Sequence, residues 1–269
     1  MKLNTHNYKE ILSALSLPEF WEDQLSTNDI NTNSIALRML HGIKDNITGG
    51  VISLRTQTEN KDIRKFAKSI YLEVDSTDAF KYLEDDFDRD FNALDELRIH
   101  SALKKKNQEK PLPPLMQWVN MAQKIEFKIF LIKEIGFFQQ IDCAPQLLDL
   151  YLQNVDYSIK AQIADTLGLL DYDIAVPVFI ESFNYNPQEV KDKIIDALGK
   201  LGGEQALSFL ESIYYQTYNK ETLIKILLNI RLIDHDGSVY SKIENSVSTD
   251  FEKIAISYIE KNTSEIFEL

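Results

Sequence analysis

Apolar side chains fall three and four residues apart through most of this chain, the spacing that lines one face of an α-helix. The pattern is clearest at 157–170, 187–201 and about 219–233. Ile159, Ile163, Leu167 and Leu170 carry it in the first of these, and Val190, Ile194, Leu198 and Leu201 in the second. A shorter helix precedes each. Ala144–Leu152 has Pro145 near its start, where a missing N–H is harmless. The next begins near Pro177 and runs to Phe183. A third begins near Glu204, where Phe209-Leu210-Glu211-Ser212 echoes Phe179-Ile180-Glu181-Ser182. The polar turns Asn154-Val155-Asp156, Asn184-Tyr185-Asn186-Pro187 and Thr217-Tyr218-Asn219 separate first helices from second, and their Asn and Asp residues suit helix starts.

The second helices also repeat residue for residue. Ile159-Lys160, Ile163, Asp165, Leu167-Gly168 and Leu170 recur 31 residues later as Val190-Lys191, Ile194, Asp196, Leu198-Gly199 and Leu201. Shifted upstream by 32, the pattern reads Phe127-Lys128, Leu131, Ile135-Gly136 and Phe138. A fixed period of this size marks a stacked-repeat protein, whose units bury their apolar faces only against each other. Earlier the pattern weakens. Asn33–Ile43 and Thr48–Thr56 read as helices, Ile63-Arg64 with Phe66, Ala67 and Ile70 as a second helix, and Leu97-Arg98 with Ala102 and Leu103 as another. Leu112–Ala122 reads as a first helix opened by Pro113-Pro114, and Val239–Val247 with Phe251–Ile259 as a last pair. The expected fold is all-α: an α-solenoid of roughly seven or eight stacked antiparallel helix pairs. With no Pro/Gly/Ser linker, residues 1–269 are expected to form a single domain, with its clearest repeats at 127–215 and irregular capping repeats at both ends. Gly136, Gly168 and Gly199 share one repeat position inside helices, where glycine costs about 1 kcal/mol relative to alanine. Close backbone approach between stacked helices is the expected reason, and a glycine facing a ligand is the alternative.

Composition narrows the function classes. Twenty-nine basic and 42 acidic residues give a net charge of −13. Nucleic acid and anionic membrane surfaces are therefore not the expected partners, since both require a positive footprint. Cys143 is the single cysteine, which excludes an intramolecular disulfide and a thiolate zinc cluster and suits a reducing compartment. No signal-peptide stretch opens the sequence and no run approaches the ~20 apolar residues of a membrane span, so a soluble cytoplasmic chain is expected.

Proline near the start of a first helix, an Asp-bearing turn, an apolar-basic pair opening the second helix and a closing Leu-Gly-x-Leu together resemble the HEAT repeat. The clearest copies are Ala144–Leu170 and Ala175–Leu201. The spacing is similar to short bacterial HEAT-like repeats, which also occur in phycobilin lyases. HEAT arrays are mostly scaffolds and adaptors, with a minority of enzymes. The resemblance thus implies a non-enzymatic scaffold that binds a protein partner on the concave face. The alternative is an enzyme of the bilin lyase type, or another solenoid that binds a small ligand. The chain also resembles the soluble part of bacterial HEAT-repeat proteins whose longer relatives begin with a membrane helix, which would place the natural start before Met1.

Candidate chemistry is sparse. Arg64, Arg98, Lys128, Lys160 and Lys191 form a basic ladder, one at the start of each second helix. Two roles are open to it. The cations could pair with the turn acids Asp62, Asp95, Glu126, Asp156 and Glu189, or line a stripe that recruits an acidic partner. The densest acidic run, Glu84-Asp85-Asp86-Phe87-Asp88-Arg89-Asp90, starts like a calcium loop. It then fails at Phe91 and Leu97, where glycine and glutamate are needed, so a solvated helix end is expected, with Lys104-Lys105-Lys106 neighbouring it. His6, His41, His100 and His235 form no metal-binding pair, and no nucleophile elbow or phosphate loop occurs. No catalytic, cofactor or metal residue is therefore assigned, and no cofactor is expected. Among the aromatics, Trp118 is expected in the core and Trp21 as a cap on the first repeat. Tyr214, Tyr215 and Tyr218 are the best candidates for aromatic contact.

Overall fold

A computed structural model describes residues 5–43, 47, 49–75, 77–153 and 155–267 of the chain. Thr48, Asn154 and the His6 side chain, which enter the expectations above, lie outside what is described. Among the described residues there are sixteen α-helices and no strand, so the fold is all-α. The chain divides into two compact units, residues 1–113 with 117–130, and residues 114–116 with 131–269.

The first unit contains α1 (Thr5–Ala14), α2 (Leu17–Leu25), α3 (Ile30–Ile43), α4 (Gly49–Ser53), α5 (Lys61–Val74) and α6 (Ala93–Glu109). Helices α3, α5 and α6 lie side by side, with α5 in the middle. Both α5 and α6 start on a side-chain cap. Asn60 Oδ1 accepts from the Asp62 and Ile63 amides, and Asn92 forms a reciprocal capping box with Asp95. Between the two helices runs a long connection that folds back on α5 and holds a 3₁₀ turn at Lys81–Leu83. Helix α7 (Met116–Met121) starts later than the Leu112 expected. Pro111, Pro113 and Pro114 donate no amide and push their predecessors into extended backbone, so the segment straightens before it can coil. Trp118 is buried against the Phe80 ring, 4.9 Å between centroids, and is a core residue as expected. Trp21, half-buried on α2, lies edge-on to Phe20.

Helix α8 (Ile125–Phe137) is followed by α9 (Ala144–Leu152), α10 (Tyr157–Leu169), α11 (Ala175–Ser182), α12 (Gln188–Leu201), α13 (Gly203–Tyr214), α14 (Lys220–Ile233), α15 (Ser238–Ser246) and α16 (Asp250–Phe267). Short first helices (α9, α11, α13) alternate with longer second helices, and α10, α12 and α14 pack in a row. Ile163 and Ile194 are fully buried at equivalent positions. The glycines explain how the row packs so closely. A Cβ built on Gly168 would lie 3.0 Å from the Ala197 Cα, and one on Gly136 would lie 3.3 Å from the Thr166 side chain. A Cβ on Gly199 would overlap the Asn229 carboxamide outright. The lost helix propensity is therefore exchanged for close approach between successive second helices.

Candidate functional site

The basic ladder does not form one uniform structure. In the second unit it is regular. Lys160 Nζ sits over the Tyr151 ring and Lys191 Nζ over the Phe183 ring, each 5.4 Å from the centroid. In each case the lysine opens a second helix and the ring closes the preceding first helix or its turn, so one cation–π contact is repeated one unit apart. The expected acid partners act elsewhere. Asp156 accepts from the Ser158 amide at 2.8 Å and caps its own helix, and Glu189 is exposed. Among the described residues no ion pair joins Lys160 to Asp156 or Lys191 to Glu189. Lys128 is half-buried at the start of α8. Arg98 pairs with Asp95 one turn before it, at 3.2 Å, and lies over the Phe66 ring.

Arg64 belongs to a buried charge network. It is 6% exposed and grips Asp88 with two nitrogens, Nε at 2.8 Å and Nη2 at 3.0 Å, while Nη2 also reaches Asp90 at 3.2 Å. Lys68 Nζ adds 2.9 Å to Asp88 and 2.7 Å to the Phe87 carbonyl, and Lys65 Nζ meets Asp95 at 2.6 Å. Asp86 accepts from the Gln123 and Lys124 amides at 2.9 and 3.2 Å, just ahead of α8. The acidic run is therefore not a solvated helix end. Asp86 and Asp88 are buried in a loop that three cations of α5 and two amides hold in place. Burial opposes the charge on Asp88, but hydrogen bonds from Arg64, Lys68 and the Asp90 amide outweigh it and hold its carboxyl far below the usual range. The loop also keeps Asp86 and Phe87 at φ of 53° and 60°. For a bulky residue that is a strained conformation, offset here by full burial of the Phe87 ring and by the Lys68 bond to its carbonyl. The basic run at 104–106 does not neighbour this loop's carboxylates: Lys105 pairs with Glu73 at 2.7 Å, and Lys106 Nζ bonds the Asp75 carbonyl.

A second charge pattern went unread in the sequence, although its acids were in the repeat. Asp165 and Asp196 each face the next second helix. Asp165 Oδ1 meets Lys200 at 2.9 Å and Lys193 at 3.7 Å, and Asp196 Oδ2 meets Lys225 at 3.2 Å. In the first unit, Glu73 on α5 bridges His41 on α3 (3.0 Å) and Lys105 on α6 (2.7 Å). The signal was available: a repeated acid with a lysine 28 or 29 positions later, Asp165 to Lys193 and Asp196 to Lys225.

The tyrosine cluster splits. Tyr214 is buried and hydrogen-bonded to Glu252 at 3.3 Å, and burial, reinforced by the Glu252 charge, pushes its phenol up to about 12. Tyr218, in contrast, is 95% exposed in the turn before α14. It has two counterparts: Tyr185, 86% exposed in the turn before α12, and Tyr157, 53% exposed as the first residue of α10. An exposed tyrosine thus marks three successive turns.

Burial raises the Cys143 thiol above its ordinary value, the reverse of what a nucleophilic cysteine needs. A cleft of about 540 Å³ lies where the α5–α6 connection meets the extended chain after α6, and its lining includes Phe80, Leu112, Pro113, Asp75, Lys106 and Lys110. No described helix is long and apolar enough to cross a membrane. Comparison with protein families matches residues 144–228 to HEAT repeats. Comparison with curated proteins gives no match.

Proposed function

We propose that the chain is a non-enzymatic scaffold that binds a protein partner along the turn edge of residues 144–228, the segment that matches HEAT repeats. The observation that carries this reading is the row Tyr157, Tyr185 and Tyr218. Tyrosine supplies large rigid contact area at low conformational cost and is enriched among residues that dominate binding energy. Lys160 and Lys191, half-buried just inside the same turns, add positive charge. An acidic segment with apolar side chains fits such an edge.

The test is capture of a partner by the purified chain, compared with a variant carrying Tyr157→Ser, Tyr185→Ser and Tyr218→Ser. Because these side chains are exposed, the variant should melt at the wild-type temperature yet lose at least tenfold in affinity. Equal capture by both proteins would refute the turn edge as the binding surface. A small-ligand reading has one specific support, the 540 Å³ cleft beside Phe80, which lies within the roughly 300–1,000 Å³ of small-molecule sites. Incubation with a bilin followed by absorption spectroscopy tests it, a shifted band in the wild type but not in Phe80→Ala being the expected sign.

A further inference from the structure

The first unit holds a small pocket that none of the roles above uses. It lies between α3, α5 and α6, and its volume is about 200 Å³. Ile63 and Phe66 supply apolar lining from α5, and Ser34, Arg38, Asp62 and Arg98 supply its polar groups. We propose that this pocket receives the side-chain carboxylate of an acidic peptide, held between the guanidinium groups of Arg38 and Arg98. The proposal stands on this geometry and does not rest on the tyrosine edge.

Four observations carry it. Arg38 is exposed, and among the described residues its side chain has neither an ion pair nor a hydrogen bond. Arg98 retains unused donors: its Nη1 bonds Asp95, but Lys65 already neutralises Asp95 at 2.6 Å, so one positive charge remains in surplus at the pocket wall. The same guanidinium lies over the Phe66 ring, 6.0 Å from its centroid, so both line the same wall of the pocket. Finally, the volume is below the ~300–1,000 Å³ of drug-sized sites, so it suits one side chain of a larger partner rather than a free cofactor.

Charge selects the ligand. Against Arg38 and the surplus on Arg98 stands Asp62, which leaves the pocket with about one net positive charge in a chain of net −13. A monoanionic carboxylate satisfies that balance. A phosphate dianion would exceed that balance, and a nucleic acid would be repelled by the chain as a whole. The Ser34 hydroxyl can donate a third hydrogen bond, and the apolar lining takes an aliphatic neighbour of the acidic residue.

The experiment is fluorescence anisotropy at low salt with the full chain and three probes. The first is a labelled peptide alternating Glu and Leu, acetylated and amidated so that only side chains carry charge. The second replaces Glu by Gln and leaves the C-terminus free. The third is a single-stranded oligonucleotide. The first probe should bind, weaken at least tenfold with Arg38→Gln, weaken less with Arg98→Lys, and be unaffected by Lys133→Gln, an exposed lysine outside the pocket. Arg38 has no described partner, so Arg38→Gln should melt like wild type and remain informative even if changes at Arg98 disturb Asp95. Failure of the first probe to bind overturns the proposal, as does equal loss with Lys133→Gln. Equal binding of the second probe would assign the pocket to terminal carboxylates instead, and equal binding of the oligonucleotide would reduce it to unselective anion attraction. Either result refutes the side-chain assignment. None of these outcomes depends on the tyrosine variant, so the two sites can fail separately.

Discussion

The two units use charge in opposite ways. In the first, Arg64, Lys65 and Lys68 point inward from one helix and meet two buried carboxylates, Asp88 on the connecting loop and Asp95 on the next helix. In the second, Asp165, Asp196 and their lysines sit part-exposed across neighbouring second helices, above a contact made by glycines. The first arrangement positions a segment that has no regular structure of its own. The second adds little to a row that apolar packing already holds. Ion pairs therefore carry structural weight here where the backbone is irregular, and decorate it where the repeat is regular.

Breaking one partner in each place measures that contrast. Asp88→Ala leaves Arg64 and Lys68 buried with too little opposing charge and should lower stability by about 3–5 kcal/mol in denaturant unfolding. The same residue predicts acid sensitivity. An unfolded aspartate titrates near 3.9, while folded Asp88 stays ionised well below that. Its contribution is thus complete above about pH 5 and falls away as pH drops below about 4, where the unfolded chain takes up a proton that the fold refuses. Unfolding curves for wild type and Asp88→Ala should converge on acidification, and parallel curves down to pH 3 would contradict the assignment.

The glycine contact should come next in size. Gly168→Leu must push α10 from α12 and should exceed the ~1–3 kcal/mol usual for overpacking. Gly168→Ala, with a Cβ pressed against the Ala197 backbone, should fall within that range, and a neutral Gly168→Leu would rule out the packing role. Replacing Lys160 and Lys191 together by Glu puts carboxylates over the faces of Tyr151 and Phe183 and should remove about 0.5–1 kcal/mol per site, read as a lower melting temperature. Asp165→Asn should matter least, within about 1 kcal/mol, and its effect should vanish at high salt.

How well the sequence could be read follows the same division. Helix α9 runs over Ala144–Leu152 as its pattern and Pro145 predict, and Ile163 and Ile194 are buried where periodicity places them. Local spacing suffices in these repeats because each element packs against near neighbours in the chain. The acidic run was misread because its burial depends on the loop turning back through the positive φ of Asp86 and Phe87 to meet cations about 20 residues earlier, Lys68 to Asp88. No periodicity encodes that. The pocket at Arg38 was equally hidden: Ser34, Asp62 and Arg98 meet only once three helices lie side by side. Within the ladder, Arg64 and Arg98 do pair with acids, Arg98 with the expected Asp95, whereas Lys160 and Lys191 lie over aromatic rings that the charge pattern does not reveal.

The glycine row has a consequence for modularity. Gly168 meets Ala197, the residue two places before Gly199, whereas Gly199 meets the bulkier Asn229, and the next place in the pattern is taken by Arg231 over the Tyr240 ring. The series thus carries an end-stop written in side-chain size. A tandem duplicate of residues 175–205 would set the original Gly199 against the copy's Ala197, a partner that Gly168 already accepts, and leave the Asn229 junction to the copy. The row of second helices can be lengthened by one unit without a new kind of contact, and the number of repeats becomes a quantity that duplication alone can change.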